Sequence, residues 1–213
     1  LLAWREERSR GFDHPRWLVW CTTFADWLLS QQDEWGLFPR WWTLPGEVLD
    51  PSTTGSFNAI PFLCELGAAT GRPEFFQAAV RTGETLWSGS HRRGVFVGGT
   101  VDNPDVLDKE AASISFEAYL ALYSATDEER WLEAATVAAD VTESWLYVWN
   151  LPMVVADDPL PPEWDAGASS IGLSAVATGG SGADQYLAWN VDEFARLGEL
   201  TGDDHYTRVA ELC

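Results

Sequence analysis

The sequence predicts an all-α fold built from helical hairpins in series. Three segments share one pattern: a threonine, four residues, an aromatic residue, two residues and a small apolar pair. They begin at Thr70, Thr126 and Thr201, and a degenerate fourth copy lies around Trp17. Stretches with strand character are nearly absent, apart from 95–97 as a short hairpin edge. Repeats of this kind each bury a face against the next, in an open solenoid or a closed ring.

Each repeat is expected to form two helices joined by a short turn. Apolar residues recur at helical spacing over 112–125, before the second threonine, and again over 128–146 after it. In the turns, a glycine such as Gly71 suits the left-handed position that ends a helix, and Pro73 suits the first position of the next helix.

The connections alternate in length. With helices running up and down, all short turns then lie at one end of the fold and all long loops at the other. The long loops are rich in Trp, Gly, Pro, Asp and Arg, which favours a functional site on a helical scaffold. The short connections are 70–73, 126–128 and 201–203, and the long ones are 32–56, 88–105 and 150–183.

Composition excludes several classes of protein. The 213 residues suit one domain, and 33 acidic against 13 basic residues give a net charge of −20. This balance argues against a nucleic-acid partner and against an anionic membrane surface. No stretch approaches the roughly 18 apolar residues of a membrane span, and three cysteines cannot form a disulfide framework. The chain starts at Leu1 and stops at Cys213 in mid-pattern, so we expect a soluble fragment whose compartment and oligomeric state stay open.

One element carries a family resemblance. Trp27-Leu28-Leu29-Ser30-Gln31-Gln32 followed by Gly36-Leu37-Phe38-Pro39-Arg40 resembles the helix-to-loop element of six-hairpin, (α/α)6-toroid carbohydrate-active enzymes. The Thr-Gly-x-x-x-aromatic turns resemble the outer turns of the same superfamily. The resemblance covers 16–210 and implies that 1–213 form a partial toroid, a ring of about three and a half hairpins. Its members include glycoside hydrolases, unsaturated uronyl hydrolases, polysaccharide lyases and sugar epimerases.

The densest group of carboxylates lies on the loop that enters the predicted helix near residue 110. It contains Asp102, Asp105, Asp108 and Glu110, together with Lys109, the only lysine. Glycosidic cleavage needs one carboxyl group as acid and a second as base or nucleophile. Asp105 and Asp108 also suit helix capping, with Asp105 as the cap and Asp108 near the third position. Asp102 lies outside the helix beside two glycines, and Glu110 is expected to point toward the ring interior.

A helix N-terminus favours the charged form of a carboxyl group and so lowers its pKa. That suits a base or nucleophile rather than a general acid near neutral pH. We therefore expect the proton donor elsewhere, at Asp184 or among Asp157, Asp158 and Glu163, or beyond this sequence. Asp184 begins the next predicted helix, so capping is again an alternative.

Aromatic and cationic residues of the long loops suit a sugar ligand. Trp41, Trp42, Trp149 and Trp164, with Trp35, offer flat apolar faces to a pyranose ring. Arginine clamps a carboxylate through two hydrogen bonds, which favours a uronic acid unless these cations merely offset nearby acids. His91 fits either a base in a lyase or epimerase, or a solvated loop residue. The cationic candidates are Arg40, His91, Arg92 and Arg93.

The sequence contains no spacing typical of a metal site, a phosphate-binding loop or a serine nucleophile, so no cofactor is expected. We interpret the chain as a glycoside hydrolase acting on an oligo- or polysaccharide with paired carboxylates. A polysaccharide lyase or sugar epimerase is the nearest alternative. A non-catalytic helical-repeat module that binds a glycan or a protein is the alternative from another class.

Overall fold

The computed structural model describes residues 1–150, 169–178 and 190–213, which are mostly helical. Among these residues, no helix is long and apolar enough to cross a membrane. The described residues contain eight α-helices and one two-stranded antiparallel hairpin. The helices are α1 Leu2–Ser9, α2 Pro15–Ser30, α3 Ala59–Thr70, α4 Pro73–Gly89, α5 Lys109–Thr126, α6 Glu129–Glu143, α7 Val191–Thr201 and α8 Asp204–Leu212, and the strands are β1 Trp41–Trp42 and β2 Val48–Asp50.

The repeated threonine closes each short turn with its side chain. Thr70, Thr126 and Thr201 each donate the hydroxyl to the carbonyl four residues earlier, at 2.7, 2.8 and 2.7 Å. Each hydroxyl also accepts from the amide two residues later, at 3.4, 3.3 and 3.3 Å. The residue that follows each threonine adopts the left-handed backbone conformation, which ends the helix. In chain order these residues are Gly71, Asp127 and Gly202, with φ of 70°, 57° and 69°.

The predicted helical hairpins are confirmed, with different ends. Helix α5 begins at Lys109, three residues before the predicted start, because Asp108 supplies its N-cap. Helix α6 ends at Glu143, since Leu146 pairs with Ser174 in an isolated bridge instead of continuing the helix. Pro73 occupies the first turn of α4, as its fixed φ predicts.

Successive hairpins pack side by side. The first helices form one row, with α3 against α5 and α5 against α7, and each packs on the second helix of its own hairpin. Polar contacts link the second helices α2, α4, α6 and α8. In each of α2, α4 and α6, an acidic residue eleven positions after the first residue of the helix accepts a hydrogen bond from a side chain at the start of the next second helix. We call these contacts the outer ladder. Its members are Asp26 with Arg72 at 2.6 Å, Glu84 with Arg130 at 2.9 Å, and Asp140 with Tyr206 at 2.8 Å.

The core lies between the two rows of helices. Tyr119 of α5 and Trp131 of α6 are buried and stack with ring centroids 5.9 Å apart. Alanines let α5 and α6 approach closely, because Ala112, Ala135 and Ala138 have no exposed surface. Close packing between facing side chains fixes the two helices of a pair relative to each other.

Candidate active site

The long loops meet at one end of the described structure, as the alternating connection lengths predict. The Arg40 guanidinium of the first loop donates to the carbonyl oxygens of Gly98 and Thr100 in the second. The backbone amide of Lys109 donates to Val176 in the third at 2.9 Å. These contacts place the described parts of the three loops, which include the candidates Asp102, Trp41 and Arg92, at the same end of the helices.

Asp108 is a buried helix cap. One carboxylate oxygen accepts from the amide of Ala111 at 2.7 Å, and the other accepts from the amide of Gly99 at 2.8 Å. Burial raises the pKa of Asp108, and the amide hydrogen bonds oppose that shift. The side chain therefore fixes the 98–99 segment to the start of α5. Capping is one of the alternatives for Asp108, but its expected place near the third helical position is wrong, because Asp108 is itself the N-cap.

Asp102 and Asp105 are exposed in the turn that precedes this cap. The amide of Asp105 donates to the side chain of Asn103 at 2.9 Å. Asp105 lies four residues before the first residue of α5, so the suggestion that it caps the helix is wrong. Glu110 is half-buried in the first turn of α5.

The cationic candidates separate into two groups. Arg40 has a side chain only 7% exposed and donates to backbone carbonyls. His91 is buried, its Nδ1 lies 2.8 Å from the Tyr119 hydroxyl, and burial lowers its pKa to about 3. His91 is thus neutral and enclosed, not solvated. Arg92 and Arg93 are exposed and available to an anionic ligand.

Three of the candidate tryptophans are open to solvent. Trp35, Trp41 and Trp149 are exposed, whereas Trp42 is half-buried with its ring centroid 5.2 Å from that of Trp27. Several other predicted residues fall outside the described residues, and nothing further is said of their positions. These are Trp164, Asp157, Asp158, Glu163 and Asp184.

A groove that the sequence did not reveal lies between α1, α3, α5 and α7. Its volume is about 880 Å³, and its lining includes three glutamates from three different helices. Glu65 comes from α3, Glu117 from α5 and Glu193 from α7. Glu110 precedes Glu117 by seven residues, so it lies on the same face of α5, two turns nearer the loop end.

The groove glutamates influence one another. Glu117 is exposed at the groove, yet partial desolvation raises its pKa, and the charge of Glu65 raises it further. Burial likewise raises the pKa of Glu193, with added repulsion from Glu117 and Asp192. Arg5 of α1 forms an ion pair with Glu65. A carboxyl group whose pKa is raised in a concave site keeps its proton to a higher pH than an ordinary carboxyl group does.

The sequence carries only a weak signal for this groove. Glu117 interrupts an otherwise buried run in α5, between Phe116 and Ala118. Such a charge within an apolar stretch predicts a special environment, but its partners Glu65 and Glu193 come from other hairpins. No group of three or more His, Cys, Asp or Glu suited to a metal ion occurs among the described residues.

Comparison with known proteins adds no relationship. A scan against protein-family models gives no match, and a search of curated protein sequences gives none either.

Proposed function

We propose that the chain is a carbohydrate-active enzyme, a glycoside hydrolase on a partial (α/α) toroid, with Glu117 as its general acid. The observation that carries this proposal is the raised pKa of Glu117 within the 880 Å³ groove. Cleavage of a glycosidic bond requires a proton at the leaving oxygen, and a carboxyl group that stays protonated at higher pH supplies it.

The anionic partner of Glu117 is a carboxylate of the groove or of the loop that precedes α5. Glu65 is the first candidate, because its charge already acts on Glu117 and because it pairs with Arg5 at the groove. Asp102, exposed on the loop at the end of the same helix, is the second candidate. Two carboxyl groups in unlike environments are what divide the roles of acid and base.

Exposed residues at the loop end fit a sugar chain. Trp41 and Trp149 offer apolar ring faces to a pyranose, and Arg92 and Arg93 offer bidentate donors to a uronate. An oligo- or polysaccharide containing uronic acid is therefore the substrate class that we favour. The lyase alternative relied on His91, whose burial against Tyr119 argues against a role as a solvent-accessible base.

The test is hydrolysis of neutral and uronic-acid oligosaccharides by the chain, followed through reducing ends, with ultraviolet absorbance recorded in parallel. We expect Glu117→Gln to lower turnover by about 100- to 10,000-fold, the usual contribution of a general acid. An aryl glycoside with an acidic leaving group should recover much of that loss, because its departure needs little protonation. Glu65→Gln and Asp102→Asn then identify the partner.

The matched control is Glu133→Gln, which changes an exposed glutamate of α6 outside the groove lining. Wild-type turnover in Glu117→Gln would refute the assignment of the acid. New absorbance from an unsaturated uronate would indicate a lyase. Binding of the oligosaccharides without turnover would instead support the non-catalytic module.

A further inference from the structure

Helix α2 and the turn before it expose several large apolar side chains. Phe12 of that turn and Val19, Trp20 and Phe24 of α2 are 59%, 60%, 59% and 51% exposed, and we call these four residues the α2 face. Phe12 and Val19 line a common cavity of about 560 Å³ beside α1. Contiguous apolar surface of this kind marks an interaction site rather than ordinary surface.

The repeat shows what this position does in the other hairpins. Aligning the aromatic residues of the repeat makes α2 the counterpart of α4 and α6, and the residues that match Trp20 and Phe24 are buried there. In α4, the matching Thr82 hydroxyl donates at 2.7 Å to the carbonyl of Gly36, on the loop that follows α2. The position therefore packs against the preceding hairpin. The matching residues are Ala78 and Thr82 in α4, 2% and 0% exposed, and Ala134 and Ala138 in α6, both 0% exposed.

We propose that the α2 face binds the same face of a second copy of this chain. Helix α2 carries one acidic and one basic residue, Asp26 and Arg16, so the face is close to neutral in a chain of net charge −20. Two copies repel least when they meet there. The last hairpin exposes mainly polar residues, Asp204 and Arg208 among them. Its leucines Leu200 and Leu212 are each only 38% exposed, so a head-to-tail contact offers less apolar surface than the α2 face does. The same patch on both copies gives a two-fold dimer.

The exposed area is adequate for such a dimer. Large side chains bury about 150–250 Å² each, so the exposed fractions leave roughly 100 Å² apiece, or roughly 400 Å² for the α2 face. Apolar atoms usually make up about 60% of an interface, so an apolar area of roughly 400 Å² corresponds to a total buried area of about 700 Å² on each partner. Stable specific interfaces bury about 600–1,000 Å² per partner.

Sedimentation equilibrium of the intact chain tests the proposal. We expect the 23.6 kDa chain to double in mass at concentrations up to about 100 µM, more readily at higher salt because the net negative charge is screened. Trp20→Glu should weaken the dimer by at least about 30-fold, as expected for a tryptophan anchor. Trp20→Ala is a second variant for the same test. Alanine is compatible with a helix at this position, because Ala78 and Ala134 occupy the matching positions of α4 and α6.

Trp149→Glu is the control, because Trp149 is also 59% exposed but lies outside the α2 face. Circular dichroism verifies that each variant keeps its helical content. The proposal fails if the wild-type chain is monomeric throughout, or if both Trp20 variants associate as the wild type does. It also fails if Trp149→Glu weakens association as much as Trp20→Glu.

Discussion

Replacement of Asp108 distinguishes a structural carboxylate from a catalytic one. In Asp108→Ala, two backbone amides lose their acceptor: Ala111 in the first turn of α5 and Gly99 in the preceding loop. Loss of a helix N-cap costs about 0.5–2 kcal/mol, and a buried donor without a partner costs about 1–3 kcal/mol. Because Gly99 is only partly buried, we expect the free energy of unfolding to fall by about 2–4 kcal/mol.

Urea unfolding followed by circular dichroism measures this loss. With a slope of about 2 kcal/mol per molar urea, the midpoint should fall by about 1–2 M. The urea midpoint of Asp108→Asn should lie between those of the wild type and Asp108→Ala, because the asparagine side-chain oxygen still accepts a hydrogen bond from one of the two backbone amides. The matched control is Asp105→Ala, three residues earlier and exposed, which should change stability by no more than about 0.5 kcal/mol. An unchanged midpoint in Asp108→Ala, with loss of turnover, would refute the capping role.

Two further predictions concern the same loop and the groove. Gly99→Ala should lower the free energy of unfolding by about 3 kcal/mol, and the thermal midpoint with it, because its Cβ would overlap the backbone nitrogen of Ala111. Gly89→Ala meets open space and should be neutral or stabilising. The pKa of Glu117 is raised above its usual value of 4.5, so the folded chain takes up this proton first and gains stability as pH falls from neutral toward 4.5. Glu117→Gln should therefore have a larger free energy of unfolding than wild type near neutral pH, and this free energy should change less with pH. Urea unfolding across that pH range measures both. A stability that changes more with pH in the variant than in the wild type would contradict the raised pKa.

The repeated residues made the hairpins predictable from the sequence. The threonine of each turn forms hydrogen bonds only to groups within four residues of itself, so its effect is local. The spacing of residues along the sequence is therefore enough to reveal the pattern. The left-handed residue that follows is equally local. Even Asp127, where the other turns have glycine, takes that conformation, because aspartate tolerates it better than most residues.

The groove and the surroundings of His91 depend on distant segments and could not be predicted in this way. His91 packs against Phe96 at 4.3 Å between ring centroids and bonds to Tyr119, so two segments of the chain enclose a residue expected at a loop surface. The hairpin of β1 and β2 escaped prediction because its strands have two and three residues, too few to show an alternation of apolar and polar residues.

The outer ladder makes the fold a sequence of nearest-neighbour bonds. Asp26, Glu84 and Asp140 each tie one hairpin to the next, and none of these contacts skips a repeat. Cooperativity in such an array comes from the junctions between adjacent units rather than from one central nucleus. Loss of one ladder contact is therefore expected to weaken the junction that it bridges and to leave the other two junctions intact.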